Sequence, residues 1–264
     1  MISLVINCDT RPGCGDEVNT TGDHGEGSLN GVRSWDFLSD GVTNKLNFFK
    51  GHDVEVILFV DEHDPIPEEV REKIEDIDQL DYFVCKPHDR THPRWNEQIY
   101  VDALKLAHGK YIAHFDGDCV AFRREDSSIV ERHLAFLDGP FSFVCQPTTL
   151  EASVHGMTWA STRFFMCRGD MLNLDELEKC VRNEIHRSRY GFCPALEHVL
   201  GGMAGENGVW YPPADWDEWM VFSWSRYHRG LLAKLNAMSY NEARDYILSC
   251  GIHGPNDVIS KPLA

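Results

Sequence analysis

Apolar runs alternate with amphipathic stretches in the first half of the chain. Short apolar runs predict β-strands at residues 2–8, 54–60 and 81–85. Between these runs, residues 34–49 repeat apolar side chains at helical spacing, and the acidic stretch 67–78 has the same character. Strands that alternate with helices favour a mostly parallel sheet with helices on its faces. We therefore expect an α/β fold for this part of the chain.

A further helix and strand lead into a pair of aspartates. Residues 96–107 place apolar side chains on one helical face, and Gly109 follows where a left-handed helix end is expected. Strand 111–115 then runs into Asp116-Gly117-Asp118. Carboxylates at positions i and i+2 reach one hard cation only if the backbone turns, which glycine permits. The unit predicts a divalent-metal site at the C-terminal edge of the sheet, and the alternative is a solvated turn around an Asp-Gly pair.

The pattern changes after residue 140. We expect strands at 141–145 and 163–167 and helices at 174–186, 195–200 and 240–250. We place a boundary near residue 145, so that a half spanning 1–145 meets a half spanning 146–264. A ligand cleft would lie between the halves, beyond the carboxyl ends of the strands.

Composition excludes several classes of partner. The chain has 264 residues, 42% of them hydrophobic and 11% aromatic, which is ordinary for a globular protein. Its formal net charge of -17 argues against nucleic acid and anionic membrane surfaces as partners. An anionic ligand would need a bound cation or local basic residues to offset this charge.

Cysteine spacing and hydropathy argue against two kinds of cysteine centre and against a membrane span. The nine cysteines form no CxxC pair, so a zinc ribbon or a thioredoxin-like centre is not expected. The sequence has no signal-like segment ahead of the first strand and no apolar run near 20 residues. We therefore expect a cytoplasmic protein without a membrane span.

The stretch that ends in the two aspartates resembles GT-A glycosyltransferases, especially the broad family-2 type. Their pattern is N…A…A-x-G-x-Y-I-x-F-x-D-x-D, and the matching residues here are Asn96, Ala103, Ala107, Gly109, Tyr111, Ile112, Phe115, Asp116 and Asp118. Residues 1–9 and 54–62 also resemble the first two strands of that family. The resemblance covers roughly residues 1–145 well and the remainder only loosely.

The resemblance implies a fold and an activity. The fold would be a GT-A-like, Rossmann-type, mostly parallel sheet flanked by helices, followed by an acceptor-side α+β half. The activity would be transfer of a hexose-type sugar from a UDP- or GDP-sugar to a carbohydrate or other hydroxyl acceptor. Two alternatives stay open, a sugar nucleotidyltransferase and a non-catalytic binding protein on the same fold. A sugar nucleotidyltransferase would need a basic Gly-rich loop after the first strand, and residues 13–31 contain no lysine.

The resemblance also implies the metal ligands. Asp118 would be the first ligand, with Asp116 on the metal or on the ribose. His253 lies in a Gly-Ile-His-Gly-Pro segment that resembles the closing segment of several GT-A enzymes, although a histidine in a simple turn is equally open. Oxygen ligands suit Mg²⁺ or Mn²⁺, and a histidine ligand would favour Mn²⁺.

Five further residues are candidate nucleotide ligands. Asp9 and Asp61 follow the first two strands, where the family holds the base and ribose, and Thr10 and Arg11 lie at the same edge. Helix capping or loop solvation is the alternative for Asp61. Arg94 precedes the helix at 96–107 and either meets a phosphate at its N-terminus or is a surface charge.

Glu197 is the candidate general base for the acceptor hydroxyl. It resembles the family's acidic-pair position, although His198 stands where the second acid is usual, and a structural role stays open. Competing carboxylates are Asp170, Asp215 and Asp217. Two tryptophans in the aromatic-rich stretch 210–219 could stack on a sugar ring or belong to the core: Trp216 and Trp219.

Overall fold

The computed structural model describes most of the chain, and the statements below concern the residues it describes. These are residues 1–10, 31–32, 35–62, 65–88, 95–145, 160–182, 196–204, 208–210, 212, 215–223 and 230–250. Within them the strands are β1 (Ile2–Thr10), β2 (Gly31–Val32), β3 (Val54–Glu62), β4 (Tyr82–Cys85), β5 (Tyr111–Asp116), β6 (Cys119–Arg123), β7 (Phe143–Cys145), β8 (Phe164–Arg168), β9 (Val209–Trp210) and β10 (Trp219–Ser223). The helices are α1 (Asp36–Phe48), α2 (Glu68–Glu75), α3 (Trp95–Leu104), α4 (Ile129–Asp138), α5 (Leu174–Arg182), α6 (Leu196–Met203), α7 (Leu231–Asn236) and α8 (Tyr240–Ser249).

An eight-stranded sheet organises the described residues. Its strands lie in the order β4-β3-β1-β5-β8-β7-β9, and the short β2 pairs with the end of β1. The strands β4, β3, β1 and β5 are parallel, whereas β8 runs antiparallel to both β5 and β7. The expected α/β class with a mostly parallel sheet flanked by helices is confirmed.

The central strand β1 explains why both faces of the sheet carry helices. Successive residues of a strand point to opposite faces, and Leu4 and Val5 belong to two different core clusters. The cluster around Leu4 includes side chains of α1, α2, α4, α7 and α8, and the cluster around Val5 includes those of α3, α5 and α6. A strand buried on both faces needs a continuous apolar run, which is what the sequence of β1 provides.

Strand register brings three acidic positions to one edge of the sheet. Asp9 lies opposite Asp61 on β3, and Asn7 lies opposite Asp116 on β5. Because these strands are parallel, their carboxyl ends meet at the same edge. This edge is where the sequence analysis places the ligand.

A second, two-stranded sheet continues directly from the acidic turn, Asp116-Gly117-Asp118. Strands β6 and β10 pair antiparallel, with Cys119 opposite Ser223. Neither strand was expected from the sequence. The Gly117-Asp118 turn therefore connects the main sheet to the small one.

Trp219 begins β10 and belongs to the core. It is 2% exposed and its ring packs edge-on against Phe48, with centroids 6.5 Å apart. Of the two alternatives for Trp219, the structure favours the core, because the rings of Phe48 and His133 pack against its indole. Trp216 is partly buried and stacks on Phe222.

Helix α3 ends at Leu104, earlier than the predicted residue 107, and Gly109 does not form a left-handed helix end. A Cβ at Gly109 would lie 2.6 Å from the backbone nitrogen of Ser3. Glycine is required there because β1 passes close by.

The expected division near residue 145 stays a prediction. Strands β7, β8 and β9, from both sides of that position, belong to the same sheet. Among the described residues, no helix has the length and apolar character needed to cross a membrane.

Candidate functional site

The acidic turn joins β5 to β6 and lies against residues 7 and 8 of β1. Asp116 is the last residue of β5, and Asp118 immediately precedes β6. Their side chains are buried, with only 2% and 5% of each residue exposed. A solvated turn is therefore excluded as the environment of these carboxylates.

Gly117 is required in this turn because of close packing. A Cβ at Gly117 would lie 2.4 Å from Cys8 Sγ and 2.9 Å from the carbonyl oxygen of Asn7. Its backbone is not left-handed. The expectation that Gly117 is needed for its conformational freedom is therefore wrong. Glycine is needed because the turn packs so closely against β1 that a side chain would not fit.

The surroundings of Asp116 disfavour its ionised form. Burial raises the pKa of Asp116 to about 8, and the neighbouring charge of Asp118 adds to the rise. The hydroxyl of Tyr100, which donates to Asp116 Oδ1 at 2.6 Å, opposes the rise. A buried carboxylate pair of this kind fits a divalent cation, because the cation would offset both the burial penalty and the repulsion.

A third carboxylate lies within electrostatic reach of Asp116. Glu197, in the first turn of α6, accepts a hydrogen bond from Thr162 Oγ1 at 2.9 Å, and its charge contributes to the raised pKa of Asp116. Tyr100 contacts both Asp116 and Thr162, so these four side chains form one network. The structure thus brings Glu197 to the site of the two aspartates.

The nucleotide candidates lie at the neighbouring strand ends. Thr10 is buried, and its hydroxyl donates to the carbonyl oxygen of Asp61 at 3.4 Å. The Asp61 carboxylate is fully buried and accepts from the backbone N–H of His88 at 2.9 Å. Loop solvation is therefore not the role of Asp61, and its contact with a nucleotide stays a prediction.

Three predicted ligands lie outside the described residues: Arg11, Arg94 and His253. For Asp9 the structure describes the backbone register and not the side chain. Within the described part of the chain, no group of three His, Cys, Asp or Glu residues could hold a metal ion. Asp116 and Asp118 are thus the two proposed metal ligands whose positions the structure gives, and the third ligand stays a prediction.

The competing base candidates have different surroundings. The Asp170 side chain is 72% exposed and pairs with Arg168, and that of Asp217 is 91% exposed and pairs with Arg244. The third competitor, Asp215, is an exposed residue that accepts from a nearby backbone N–H. Exposed, paired carboxylates are weaker candidates than one that is linked to the acidic turn.

Three residues of this region were missed by sequence reasoning: Lys45, Tyr100 and Thr162. For Lys45 a signal was present, because it follows Leu38 and Val42 at helical spacing on the apolar face of α1. A charged residue on such a face needs an interior partner. Tyr100 and Thr162 carried no comparable signal, since their roles depend on contacts between distant elements.

No protein-family model matches the chain, and no curated protein sequence matches it. Solved structures do show similarity. The glycosyltransferase GlyE of Streptococcus pneumoniae TIGR4 is 9% identical with a TM-score of 0.49, over 97% of this chain and 66% of GlyE. The mannosyltransferase PcManGT of Pyrobaculum calidifontis, in complex with GDP-Man and Mn²⁺, is 11% identical with a TM-score of 0.44, over 80% of this chain and 54% of that one.

A third similar structure belongs to another class of enzyme. A putative glucose-1-phosphate thymidylyltransferase of Bacillus anthracis is 9% identical with a TM-score of 0.48, over 93% of this chain and 96% of that one. The chain therefore spans only part of the two glycosyltransferases and most of the thymidylyltransferase. The activity has to be argued from the residues of this site.

Proposed function

We propose that this protein is a metal-dependent glycosyltransferase that moves a sugar from a nucleoside diphosphate sugar to a hydroxyl acceptor. One observation carries the proposal: Asp116 and Asp118 lie buried on one turn at the carboxyl edge of the sheet, and Asp116 is linked to Glu197 through Tyr100 and Thr162. Clustered carboxylates at this edge suit both a cation and a proton acceptor.

The turn would hold the cation through Asp118 and Asp116, with His253 as the third ligand and Mn²⁺ or Mg²⁺ as the ion. When bound, a divalent cation offsets the charge that develops on a diphosphate leaving group. The Tyr100 hydroxyl donates to Oδ1 of Asp116 and so fixes the orientation of this carboxylate.

Glu197 would accept the proton of the acceptor hydroxyl. Thr162 donates to its Oε1, and this hydrogen bond orients the carboxylate. The acceptor would be a carbohydrate or another molecule that presents a hydroxyl group.

The nucleotide would lie along the ends of β1 and β3. Asp9, Thr10, Arg11 and Asp61 would contact the base and ribose of a UDP- or GDP-sugar, and Arg94 would contact the diphosphate.

We also place the protein in the cytoplasm. Cys145 and Cys167 are buried reduced thiols, as is usual in a reducing compartment.

Calorimetric titration of UDP and GDP, with and without Mn²⁺, tests the donor site. We expect one nucleotide to bind only with Mn²⁺, and binding to disappear in Asp118→Ala. Asp126→Ala is the control, because it removes the same charge from a side chain that is 73% exposed. Binding that ignores both the metal and Asp118→Ala would refute the proposed site.

Turnover of Glu197→Gln tests the proton acceptor. With the donor sugar identified from the titration, we expect kcat to fall about 10²–10⁴-fold while nucleotide and Mn²⁺ binding persist. Asp217→Asn, at an exposed carboxylate, should leave kcat unchanged. Wild-type turnover by Glu197→Gln would show that another group takes the proton.

A further inference from the structure

A fully buried lysine lies against the acidic turn. Lys45, in the last turn of α1, has none of its surface exposed. Its ammonium donates to the carbonyl oxygen of Cys119 at 2.7 Å, and it lies 3.4 Å from the carbonyl oxygens of Gly117 and Gly41. Two of these three carbonyls flank Asp118.

Such a lysine has an energetic cost that its contacts must offset. Burial lowers the pKa of Lys45, whereas nearby groups, including the carboxylates of Asp118 and Asp116, oppose this shift. An ammonium without partners would be strongly destabilising in the interior. The bonds to the turn are therefore a substantial part of what keeps Lys45 in place, and in return they constrain the turn.

We propose that Lys45 is a positioning residue for the acidic turn. By holding the carbonyls on either side of Asp118, it sets the directions in which the Asp116 and Asp118 carboxylates point. Lys45 is enclosed by protein, so it acts through the backbone of residues 117–119. Its consequence for cation binding rests on the function proposed above.

Positioning and simple charge compensation predict opposite effects on cation affinity. If Lys45 only offset negative charge, its removal would strengthen Mn²⁺ binding, because a like charge near the cation would be lost. If Lys45 positions the ligands, its removal weakens Mn²⁺ binding, since support of metal ligands is typically worth about 10–100-fold in affinity.

The test compares Lys45→Met with Val42→Ala. Methionine approximates the lysine stem without its donors, and replacing a buried charge by an apolar side chain is often tolerated. Val42 is also fully buried on α1, so its truncation destabilises the core without removing a bond to the turn. Lys45→Gln, which retains a side-chain donor, serves as the second variant and decides the matter if Lys45→Met does not fold.

Hydrogen exchange of peptides covering residues 117–119 is the first measurement. After correction for global stability, we expect exchange in Lys45→Met to be about tenfold or more faster than in Val42→Ala, from the loss of charge-assisted bonds. Lys45→Gln should lie between them. Exchange no faster than in Val42→Ala would overturn the positioning role.

Titration with Mn²⁺ alone is the second measurement. We expect the Kd of Lys45→Met to rise about 10–100-fold while that of Val42→Ala stays near the wild-type value. An unchanged or lower Kd in Lys45→Met would overturn the proposal. If the wild-type protein bound no Mn²⁺, the proposed function would fail, and the exchange comparison would still decide whether Lys45 holds the turn.

Discussion

Replacing Gly117 by alanine tests how closely the acidic turn is packed against β1. The added Cβ would lie 2.4 Å from Cys8 Sγ, 2.9 Å from the carbonyl oxygen of Asn7 and 3.2 Å from Cys8 Cα. The optimal separation of non-bonded heavy atoms is about 3.5–4.0 Å, so the turn or β1 must move by about 1 Å to relieve the contact with Cys8 Sγ. Overpacking of this kind typically costs about 1–3 kcal/mol of unfolding free energy.

Urea unfolding measures this cost, and Gly202→Ala supplies the matched control. Gly202 lies in α6 with nothing within 4 Å of its added Cβ. Alanine is favoured over glycine inside a helix, so this control should gain roughly 0.5–1 kcal/mol. We expect the two glycine variants to differ by about 1.5–4 kcal/mol, with Gly117→Ala the less stable.

A double-mutant cycle identifies the clash. Cys8→Ala removes the sulfur at 2.4 Å and leaves the Asn7 carbonyl at 2.9 Å, so it should recover only part of the loss. We expect a favourable coupling of at least about 0.5 kcal/mol between the two substitutions. A Gly117→Ala protein as stable as wild type, or a coupling of zero, would refute the argument that the turn is held against β1.

Two further predictions concern pH and helix capping. Burial alone would lower the pKa of His88, but the hydrogen bond of its ring with Asp102 and the nearby carboxylate of Asp61 outweigh burial and raise the pKa from its usual 6.5. A raised pKa in the folded state gives stability that is complete below the unfolded value and is lost as the pH rises through the folded value. The difference in unfolding free energy between wild type and His88→Gln should therefore shrink from pH 6 to pH 9, and a constant difference would contradict this assignment. Ser239 and Glu242 form a reciprocal capping box at the start of α8, so Ser239→Ala should lose about 1 kcal/mol of unfolding free energy, measured by urea titration. Unchanged stability would show that the cap does not limit the stability of this helix.

Local patterns in the sequence predicted the central part of the fold well. The apolar runs of β1, β3 and β5 and the helical spacing in α1 depend on which face each side chain presents, and that information is contained within a short segment. The position of Asp116 at the end of β5 was predictable for the same reason. Element ends were less well predicted, as at α3, because close approach of another strand decides where Gly109 lies.

Contacts between distant segments decided the rest of the site. Strand β8 inserts antiparallel beside β5, with Tyr111 opposite Arg168, and so places Thr162 close to Glu197. No periodicity within either segment specifies such a pairing. The aromatic-rich stretch was ambiguous for a related reason, since a tryptophan suits a core and a sugar site equally well until packing covers it, as it covers Trp219.

The sequence by itself determined the strands β1, β3 and β5, the helix α1 and the two aspartates after β5, because each follows from the order of residues within one segment. The alternation of strands with helices along the chain then indicated the parallel sheet. Tertiary structure alone decided that the turn is pressed against Cys8, that Glu197 joins the network and that Lys45 lies against the turn. These features depend on which elements pack together, and on the need of every buried charge for a partner.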